Sequence, residues 1–462
     1  MKKFDIVILG GGPGGYVAAI KAAQHKKSVC LVEKEKLGGV CLNWGCIPTK
    51  ALLKNAEILN YVKTSDKYGI HVKNITFDFD YNIQRSRDIA NRLSKGIDFL
   101  LKKNDIFYIN GFGKLESEHI IKINEKGKYK NIYGDHIIIS TGARPKHVPG
   151  IELDGKNLIT SKQALELKKV PKNITIIGSG AIGCEFAHYF NTFGSKVHMI
   201  ELADRILPTE DFEISKELEK VFNSKGIKTS TSTKVLKASA LKSKAKIIIE
   251  KNGIQDSLNS EIVLVAIGVT GNIENIGLNK IGIRTSTGRI DIDKSNRTNI
   301  SNIYAIGDVS GPPWLAHRAS AQAASVVGNI LGKKAKKIDK NLIPGCTYCE
   351  PQVASVGLTE HEAIQKGHNI LIGKASFQSS GKALALGNIE GFVKLIFDKQ
   401  YGELLGAHII GSEATELIAE LVIAKQLETT IEDLAYAIHA HPTLSESIME
   451  AALDALGIPL HH

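Results

Sequence analysis

The chain carries the same order of strand, glycine turn, helix, strand and acid twice, and this duplication restricts its fold more than any other feature. Phe4 to Leu9 is a short β-rich run, followed by Gly10-Gly11-Gly12-Pro13-Gly14-Gly15, an Ala-rich helical stretch, and a second strand from Ser28 to Val32 that ends at Glu33. Residues 174–201 repeat the plan: Ile174 to Ile177, Gly178-Ser179-Gly180-Ala181-Ile182-Gly183, a helix through Phe190, and Lys196 to Ile200 before Glu201. Matched positions are offset by 168, and each acid follows its first glycine by 23 residues. One glycine-rich match is a weak signal. Two, each with strand before, helix after and acid at a distance of about 20 residues, predict two dinucleotide-binding βαβ units.

The spacing has a direct chemical reason. Gly10 and Gly178 permit the tight turn, Gly12 and Gly180 let backbone approach a pyrophosphate, and Gly15 and Gly183 let helix pack on strand. The helix N-terminus then faces the phosphates, and Glu33 and Glu201 would accept hydrogen bonds from ribose hydroxyls. Glycine turns in a ligand-free α/β sheet are the alternative, which the duplication disfavours.

At roughly 150 residues per domain, 462 residues suggest about three domains. The composition, 43% hydrophobic and 23% charged with 43 glycines, fits an α/β protein and excludes collagen-like, mucin-like and wholly disordered chains. A helical region (Thr49 to Lys103) and short strands ending in Ile137 to Ser140 lie between the repeats. Residues 235–267 alternate apolar and polar and end in Ile262 to Ile267. A strand (Ile303 to Ile306), a helix-like stretch (Leu315 to Leu331) and a basic linker (Lys333 to Lys340) follow. From about Ile343, strand-like runs (Gly391 to Phe397, Glu403 to Ile410) precede two helices, an α+β unit. The expected division is 1–147, 148–272, a return segment 273–342, and 343–462.

Lys plus Arg number 59 against 48 Asp plus Glu, a net charge of +11 that favours anionic ligands at low salt. The lysines are scattered, which a solvated face explains more simply than a nucleic-acid groove. Six cysteines are too few for a secreted disulfide framework, so a reducing compartment is expected and any disulfide should be catalytic. No apolar run approaches the ~18 residues that span a bilayer. The apolar run in MKKFDIVILGGG is too short for a signal-peptide core. The expected location is a bacterial cytoplasm, although a mature mitochondrial matrix form would read the same.

Cys41-Leu42-Asn43-Trp44-Gly45-Cys46-Ile47-Pro48-Thr49-Lys50 is the segment with the clearest redox chemistry. On a regular helix, residues five apart rise about 7.5 Å, more than the ~4.4 to 6.8 Å between the Cα atoms of a disulfide. A Cys41–Cys46 bridge therefore needs an irregular turn, for which Gly45 supplies backbone freedom. Pro48 favours the first turn of a following helix, which would put Cys46 near a positive helix end that stabilises a thiolate. Two independent buried thiols are the other reading of the spacing.

Taken together, GGGPGG, EKEKLGGVCLNWGCIPTK, STGARP, GSGAIGCEF, YAIGDV, LAHRAS, EPQVASVGLTE and HPTLSE occur in an order that covers essentially the whole chain. In these motifs the chain resembles the flavin-dependent pyridine nucleotide-disulfide oxidoreductases, and within them the branch that oxidises dihydrolipoyl groups. The resemblance implies an α/β fold with two Rossmann-like dinucleotide-binding domains and a C-terminal α+β dimerisation domain. It implies FAD bound through Gly10, Gly12, Pro13, Gly14, Gly15, Glu33, Lys50, Thr141, Gly142, Asp308 and Ala316. NAD would be bound through Gly178, Gly180, Gly183, Glu201 and Gly268. Cys41 would be the thiol that meets substrate sulfur and Cys46 the thiol against the flavin, with Lys50 nearby and paired to Glu185. Read alone, Lys50 is a solvated helix lysine and Glu185 a surface acid. His441 would be the base for a dithiol, since an imidazole changes charge near neutral pH and a thiol must lose its proton to attack a disulfide. Glu446 would orient it, although Thr443 and Glu446 also have capping-box spacing and Glu446 could serve only the helix start. The resemblance further implies a homodimer whose active sites are shared between chains, docked on the lipoyl-bearing acyltransferase core of 2-oxo acid dehydrogenase complexes or serving a glycine cleavage system.

Glu201 favours NAD over NADP, because a carboxylate binds a free 2′-hydroxyl and repels a 2′-phosphate. Cys349 stands where the family usually has threonine and forms a CxxC with Cys346. With no second ligand pair it reads as part of an interface strand, and no metal site is expected. Cys30 and Cys184 read as small core fillers. The run Ser320-Ala321-Gln322 lacks an acid often found there. The alternatives are a glutathione-reductase-like enzyme, disfavoured by Glu201; a mercuric-reductase-like one, disfavoured by the lack of a terminal cysteine pair; and a basic flavoprotein with a binding role.

Overall fold

The computed structural model describes residues 1–333 and 337–461. Within the expected linker, Lys334, Ala335 and Lys336 lie outside the described residues, and a short 3-10 turn, Lys340–Leu342, closes its far end. The chain divides into two compact units: residues 1–52, 78–147 and 268–338 form the first, and residues 53–77, 148–267 and 339–462 the second.

The first unit is built on one sheet. Its parallel part runs Phe107–Asn110, Val29–Glu33, Lys2–Leu9, Lys128–Ile139, with Ile303–Ala305 also paired to Lys128–Ile139. Ile120–Glu125 and Phe112–Leu115 extend it antiparallel. The central strands are near-continuous apolar runs, as a sheet buried on both faces requires: Ile6, Val7, Ile8, Ile137, Ile138 and Ile139 are fully buried. The register sets Leu9 beside Val32 and beside Ile139, so Gly10, Glu33 and Ser140 leave the sheet together at its carboxyl edge, where ligands of such sheets bind. Ala143–Pro145 and Val269–Gly271 pair antiparallel, which fixes where the chain leaves this unit and where it returns.

The second unit repeats the logic. Five parallel strands run Lys228–Ser230, Lys196–Ile200, Asn173–Ile177, Ile262–Val265, Leu158–Ile159, and Ile177 stands beside Ile200 and Val265. The alternating region forms an antiparallel sheet of Lys234–Ala240, Ala245–Lys251 and Ile254–Ser260. The C-terminal part is a five-stranded antiparallel sheet in the order Gly345–Thr347, Gln352–Gly357, Leu404–Gly411, Phe392–Asp398, Ile370–Ser376. Three helices follow its last strand, Ala414–Gln426, Ile431–Ala435 and Glu446–Ala455, where two are expected. The extra helix is the short middle one, started by a capping box in which Thr430 and Asp433 satisfy each other's backbone amides.

One polar cluster in this unit is buried. Lys394, on a C-terminal strand with its side chain 1% exposed, lies 3.0 Å from Asp211, 2.7 Å from Glu213 and 2.6 Å from Glu360. Burial opposes charge on Lys394, but the three carboxylates raise its pKa above the ordinary 10.5. Burial likewise opposes ionisation of Asp211, yet His408 and Lys394 hold its carboxyl below the ordinary 3.8. Lys394→Met takes the central cation from Asp211 and Glu360 and leaves Glu213 with Lys374 alone, 2.7 Å away, and should cost about 3–5 kcal/mol. Asp211 has a depressed pKa, so its share is present above pH 3.8 and lost as pH falls through the folded value. Urea melts of parent and variant should therefore differ strongly at pH 7 and converge only as pH falls below 3.8 toward the lowered value of Asp211. Equal stability at pH 7 would show the cluster to be neutral.

Candidate active site

The redox segment is two helices with a break between them. Gly39–Trp44 ends at Gly45 and Cys46–Lys63 starts immediately after, so the five-residue spacing is not spanned by one regular helix. Cys41 is part-buried, Cys46 exposed, and no disulfide joins them. They are hydrogen-bonded to each other, and that bond, then burial, pushes the Cys41 thiol well up; Lys50 pulls it down and Asp308 pushes it further up. Cys46 is the first residue of an 18-residue helix, where peptide dipoles favour negative charge. Lys50 follows Cys46 by one helical turn, on the same face.

Several side chains fix this segment. Asn43, 1% exposed, donates its amide to the Leu37 carbonyl (2.9 Å) and the Gly39 carbonyl (3.0 Å). From helix Phe79–Lys103, Arg87 donates to the Asn43 carbonyl at 2.7 Å and stacks its guanidinium 5.0 Å from the centre of the Trp44 ring. The neighbouring Ser86 donates to the Pro48 carbonyl at 3.1 Å. The Arg87 and Ser86 contacts are not signalled by the sequence, because each joins residues tens of positions apart.

The two glycine turns have matching geometry. Gly10 (φ +103°) and Gly178 (φ +97°) occupy the left-handed region, and a Cβ on Gly15 or Gly183 would fall 1.8 or 2.1 Å from the carbonyl oxygen of Gly10 or Gly178. By contrast, a Cβ on Gly12 would come no nearer than 3.8 Å to another residue, and one on Gly180 would meet nothing within 4 Å. These two glycines leave open the approach to the helix starts at Pro13–Gln24 and Ala181–Thr192. Pro13 opens its helix, and Gly14 faces Ile306 and Ala319, where a Cβ would come within 3.2 and 3.5 Å.

The acids are held alike. Glu33 Oε2 accepts the Gly11 N–H at 2.7 Å and Oε1 the Glu35 N–H at 2.7 Å; Glu201 Oε2 accepts the Ser179 N–H at 2.7 Å and Oε1 the Ala203 N–H at 2.9 Å. A small open cleft adjoins Glu33, lined also by Gly10, Gly111, Gly113, Thr141 and Asn272. Asn272 clasps the turn at Thr141: its N–H donates to the Gly142 carbonyl (2.9 Å), its side-chain amide donates to the Thr141 carbonyl (2.9 Å), and its own carbonyl accepts the Thr141 hydroxyl (2.8 Å). Open glycine faces, two helix starts and acids at strand ends fit a dinucleotide in each unit.

Asp308 lies in the turn Gly307–Ser310, with burial raising its carboxyl and Arg318 opposing that rise. Ala316 begins helix Ala316–Ile330. Gln322, at the position without an acid, accepts the Gly307 N–H at 2.8 Å and donates to Asn296 at 2.7 Å, so an amide performs the tethering there. Gly268 (φ +97°) accepts the Lys146 N–H at 3.0 Å and belongs to the first unit, whereas Gly178, Gly180, Gly183 and Glu201 belong to the second. Glu185 is buried, and its carboxylate accepts the Tyr348 N–H at 3.1 Å.

At the other end of the chain, His441 Nδ1 lies 2.9 Å from Glu446 Oε1, while Glu446 Oε2 accepts the Thr443 N–H at 2.7 Å. One carboxylate therefore serves both the ring and the turn before the last helix. The Thr443 N–H above all, helped by His441, holds Glu446 below the ordinary 4.5 against the opposing effect of burial. His441 is exposed, its side chain 79% accessible.

A thiol pair across a helix break, two matched dinucleotide turns and a histidine–carboxylate dyad form a set that the comparisons resolve. The family model for pyridine nucleotide-disulphide oxidoreductase matches residues 4–323, and that for the dimerisation domain of the same family matches residues 343–452. The chain belongs to the pyridine nucleotide-disulphide oxidoreductases. Dihydrolipoyl dehydrogenase of Chlorobaculum tepidum is 45% identical over 98% of this chain and 97% of its own, and that of Bacillus subtilis 44% identical over 99% of each. Among solved structures, LpdA from Mycobacterium tuberculosis superposes with a TM-score of 0.91 at 25% identity, covering 98% of this chain and 99% of its own. The HOCl-induced flavoprotein disulfide reductase RclA from Escherichia coli reaches 0.86 at 26%, covering 97% and 99%. As an oxidoreductase of this family the chain carries its own dimerisation domain, which supports a homodimer. Among the described residues there is no cluster able to hold a metal and no helix long and apolar enough to cross a membrane.

Cys346 and Cys349 lie at and just after strand Gly345–Thr347. Cys349 is 1% exposed and its thiol donates to the Pro351 carbonyl at 3.2 Å. Burial pushes the thiol of Cys349 well above its ordinary value, as it does those of Cys30 and Cys184, which keeps all three protonated.

Proposed function

We propose that this chain is a dihydrolipoyl dehydrogenase that oxidises protein-bound dihydrolipoyl groups and reduces NAD. The observation that carries this reading is the hydrogen-bonded Cys41–Cys46 pair at a helix start, in a chain aligned along nearly its whole length with enzymes of that name. Its cofactors are FAD and NAD: FAD supplies a two-electron carrier and NAD a hydride acceptor when bound. Segments 1–147 and 273–342 make up the FAD-binding part, 148–272 the NAD-binding domain, and 343–462 the interface domain.

The residues divide the work as follows. His441, its ring oriented by Glu446, takes a proton from the substrate dithiol. The resulting thiolate attacks Sγ of Cys41 in the oxidised pair; the Cys41–Cys46 bond breaks, a substrate–Cys41 disulfide forms, and Cys46 leaves as thiolate. The second substrate sulfur attacks the first and closes the product disulfide, and its proton passes to Cys41, which leaves as a thiol while His441 keeps the first proton. The substrate has lost two electrons and the cysteine pair has gained them. Helix Cys46–Lys63 and Lys50 favour the negative charge left at Cys46. In the homodimer the dyad of one chain serves the cysteine pair of the other. The partner is the lipoyl-bearing acyltransferase core of a 2-oxo acid dehydrogenase complex, in a bacterial cytoplasm.

Glu201 decides the nucleotide. Both of its oxygens are tied to backbone amides, which fixes a carboxylate at the strand end that would accept from a ribose hydroxyl and repel a 2′-phosphate. Arg205 is engaged with Asp204 at 3.0 Å and with the Pro208 carbonyl at 3.1 Å. Glu201→Arg should shift the ratio of kcat/KM for NAD to that for NADP toward NADP by at least about tenfold, since removing a repulsion and adding a partner each contribute on the order of 1 kcal/mol. An unchanged ratio in steady-state assays would remove Glu201 from this role. The function itself is tested by supplying the purified flavoprotein with dihydrolipoamide and NAD, and separately with NADPH and glutathione disulfide. NADH formation in the first assay and no turnover in the second are expected; the reverse would favour a glutathione-reductase-like enzyme.

A further inference from the structure

Two histidines share the loop before the last helix, in opposite surroundings. The His441 side chain is 79% exposed, whereas that of His439 is 8% exposed. His439 Nε2 lies 2.8 Å from Glu420 Oε1, and its Nδ1 lies 3.1 Å from the Ala437 carbonyl oxygen. Glu420 stands on helix Ala414–Gln426, so the contact ties the loop to an element 19 residues earlier in the chain. Both facing atoms are acceptors, so whichever ring nitrogen carries a proton has one to donate to. On the far side of His441 the loop is closed by the Thr443 hydroxyl, which donates to the Ala440 carbonyl at 2.7 Å, and by the Glu446 carboxylate on the Thr443 N–H. His441 thus projects into solvent from a short segment anchored at both ends. The Glu446 end is accounted for by the dyad. His439 is the other anchor.

We propose that His439, gripped by Glu420, is a positioning residue for His441, holding the loop backbone so that the exposed imidazole presents its free nitrogen to the dithiol. The inference rests on the reading of His441 as the base. Misplacing a reacting group by about 1 Å can cost on the order of a hundredfold in rate. The expected results are as follows. His439→Ala lowers kcat for dihydrolipoamide oxidation by roughly tenfold to a hundredfold, with KM changed by less than about threefold. Glu420→Ala behaves similarly, and Glu420→Gln, which keeps an acceptor oxygen, recovers most of the rate. In a His441→Ala background, His439→Ala should cost less than about twofold more, because residues acting through one group are not additive. The ratio of dithiol turnover to NADH–ferricyanide turnover should fall in His439→Ala. A full, independent loss from His439→Ala in the His441→Ala background would overturn the proposal, as would an equal fall in both turnovers. Should His439→Ala fail to fold, the two Glu420 variants, altered at a part-exposed side chain, carry the test. A His441→Ala variant that oxidises dithiol at the parental rate would overturn the reading of His441 and the proposal with it.

Discussion

Cys46→Ser is expected to lower dihydrolipoamide-dependent NAD reduction by at least about a thousandfold, and Cys41→Ser by a comparable factor, because each removes one half of a unit that acts only as a pair. The two variants should differ in kind. Without Cys41 no sulfur remains for the substrate to attack. Without Cys46, Cys41 stays a thiol with no sulfur–sulfur bond for the substrate to attack, and no thiolate is held at the start of helix Cys46–Lys63. Flavin content measured on each purified variant shows that the loss is chemical and does not come from an unfilled protein. A loss smaller than about tenfold in either variant would mean that the pair is not the redox centre.

The second large effect is expected at His441. Removing a general base costs on the order of 10² to 10⁴ in rate, so His441→Gln should lower kcat for dithiol oxidation within that range. Glu446→Gln should lower it less, since the amide oxygen can still accept from the ring while the charge that favours its protonated form is lost. Glu446 is held below the ordinary carboxyl value of 4.5, so the carboxylate is ionised throughout the neutral range, and its contribution is lost as pH falls through that lowered value. The acid limb of the parental pH–rate profile should therefore report the imidazole and not Glu446. A parental profile in kcat retained by His441→Gln, measured from about pH 5.5 to pH 9, would contradict the assignment of the base.

The main lines of the fold were legible in the chain because glycine and β-branched runs act locally. The positive φ at Gly10 and Gly178, and the space denied to a Cβ at Gly15 and Gly183, are properties of single positions, so a repeated pattern of glycines reports the turn directly. Cys30 and Cys184 are fully buried in a strand and a helix, as small apolar residues in those runs suggest. Other features depended on longer reach. The helical region read from Thr49 to Lys103 is two helices, Cys46–Lys63 and Phe79–Lys103. Between them Gly69 takes φ +72° after a 3-10 turn, and the Asp78 side chain caps the second start by accepting the Tyr81 N–H. The choice left open at Glu446 is answered by its having two oxygens, one for the ring and one for the backbone, a division that spacing does not reveal. Asn272 on Thr141, Arg87 on Asn43 and Lys394 among its three carboxylates join residues separated by tens to nearly two hundred positions. Neither periodicity nor a motif carries such pairs.

The most direct test of the account is an anaerobic titration of the flavin-loaded protein with dihydrolipoamide, followed in the visible spectrum and then by addition of NAD. A long-wavelength flavin–thiolate band should grow to its full height at about one equivalent of dithiol per flavin, be absent in Cys46→Ser, and decay on adding NAD as NADH appears. Flavin that bleaches without passing through such a band, or a band that survives the loss of Cys46, would contradict electron entry through the cysteine pair.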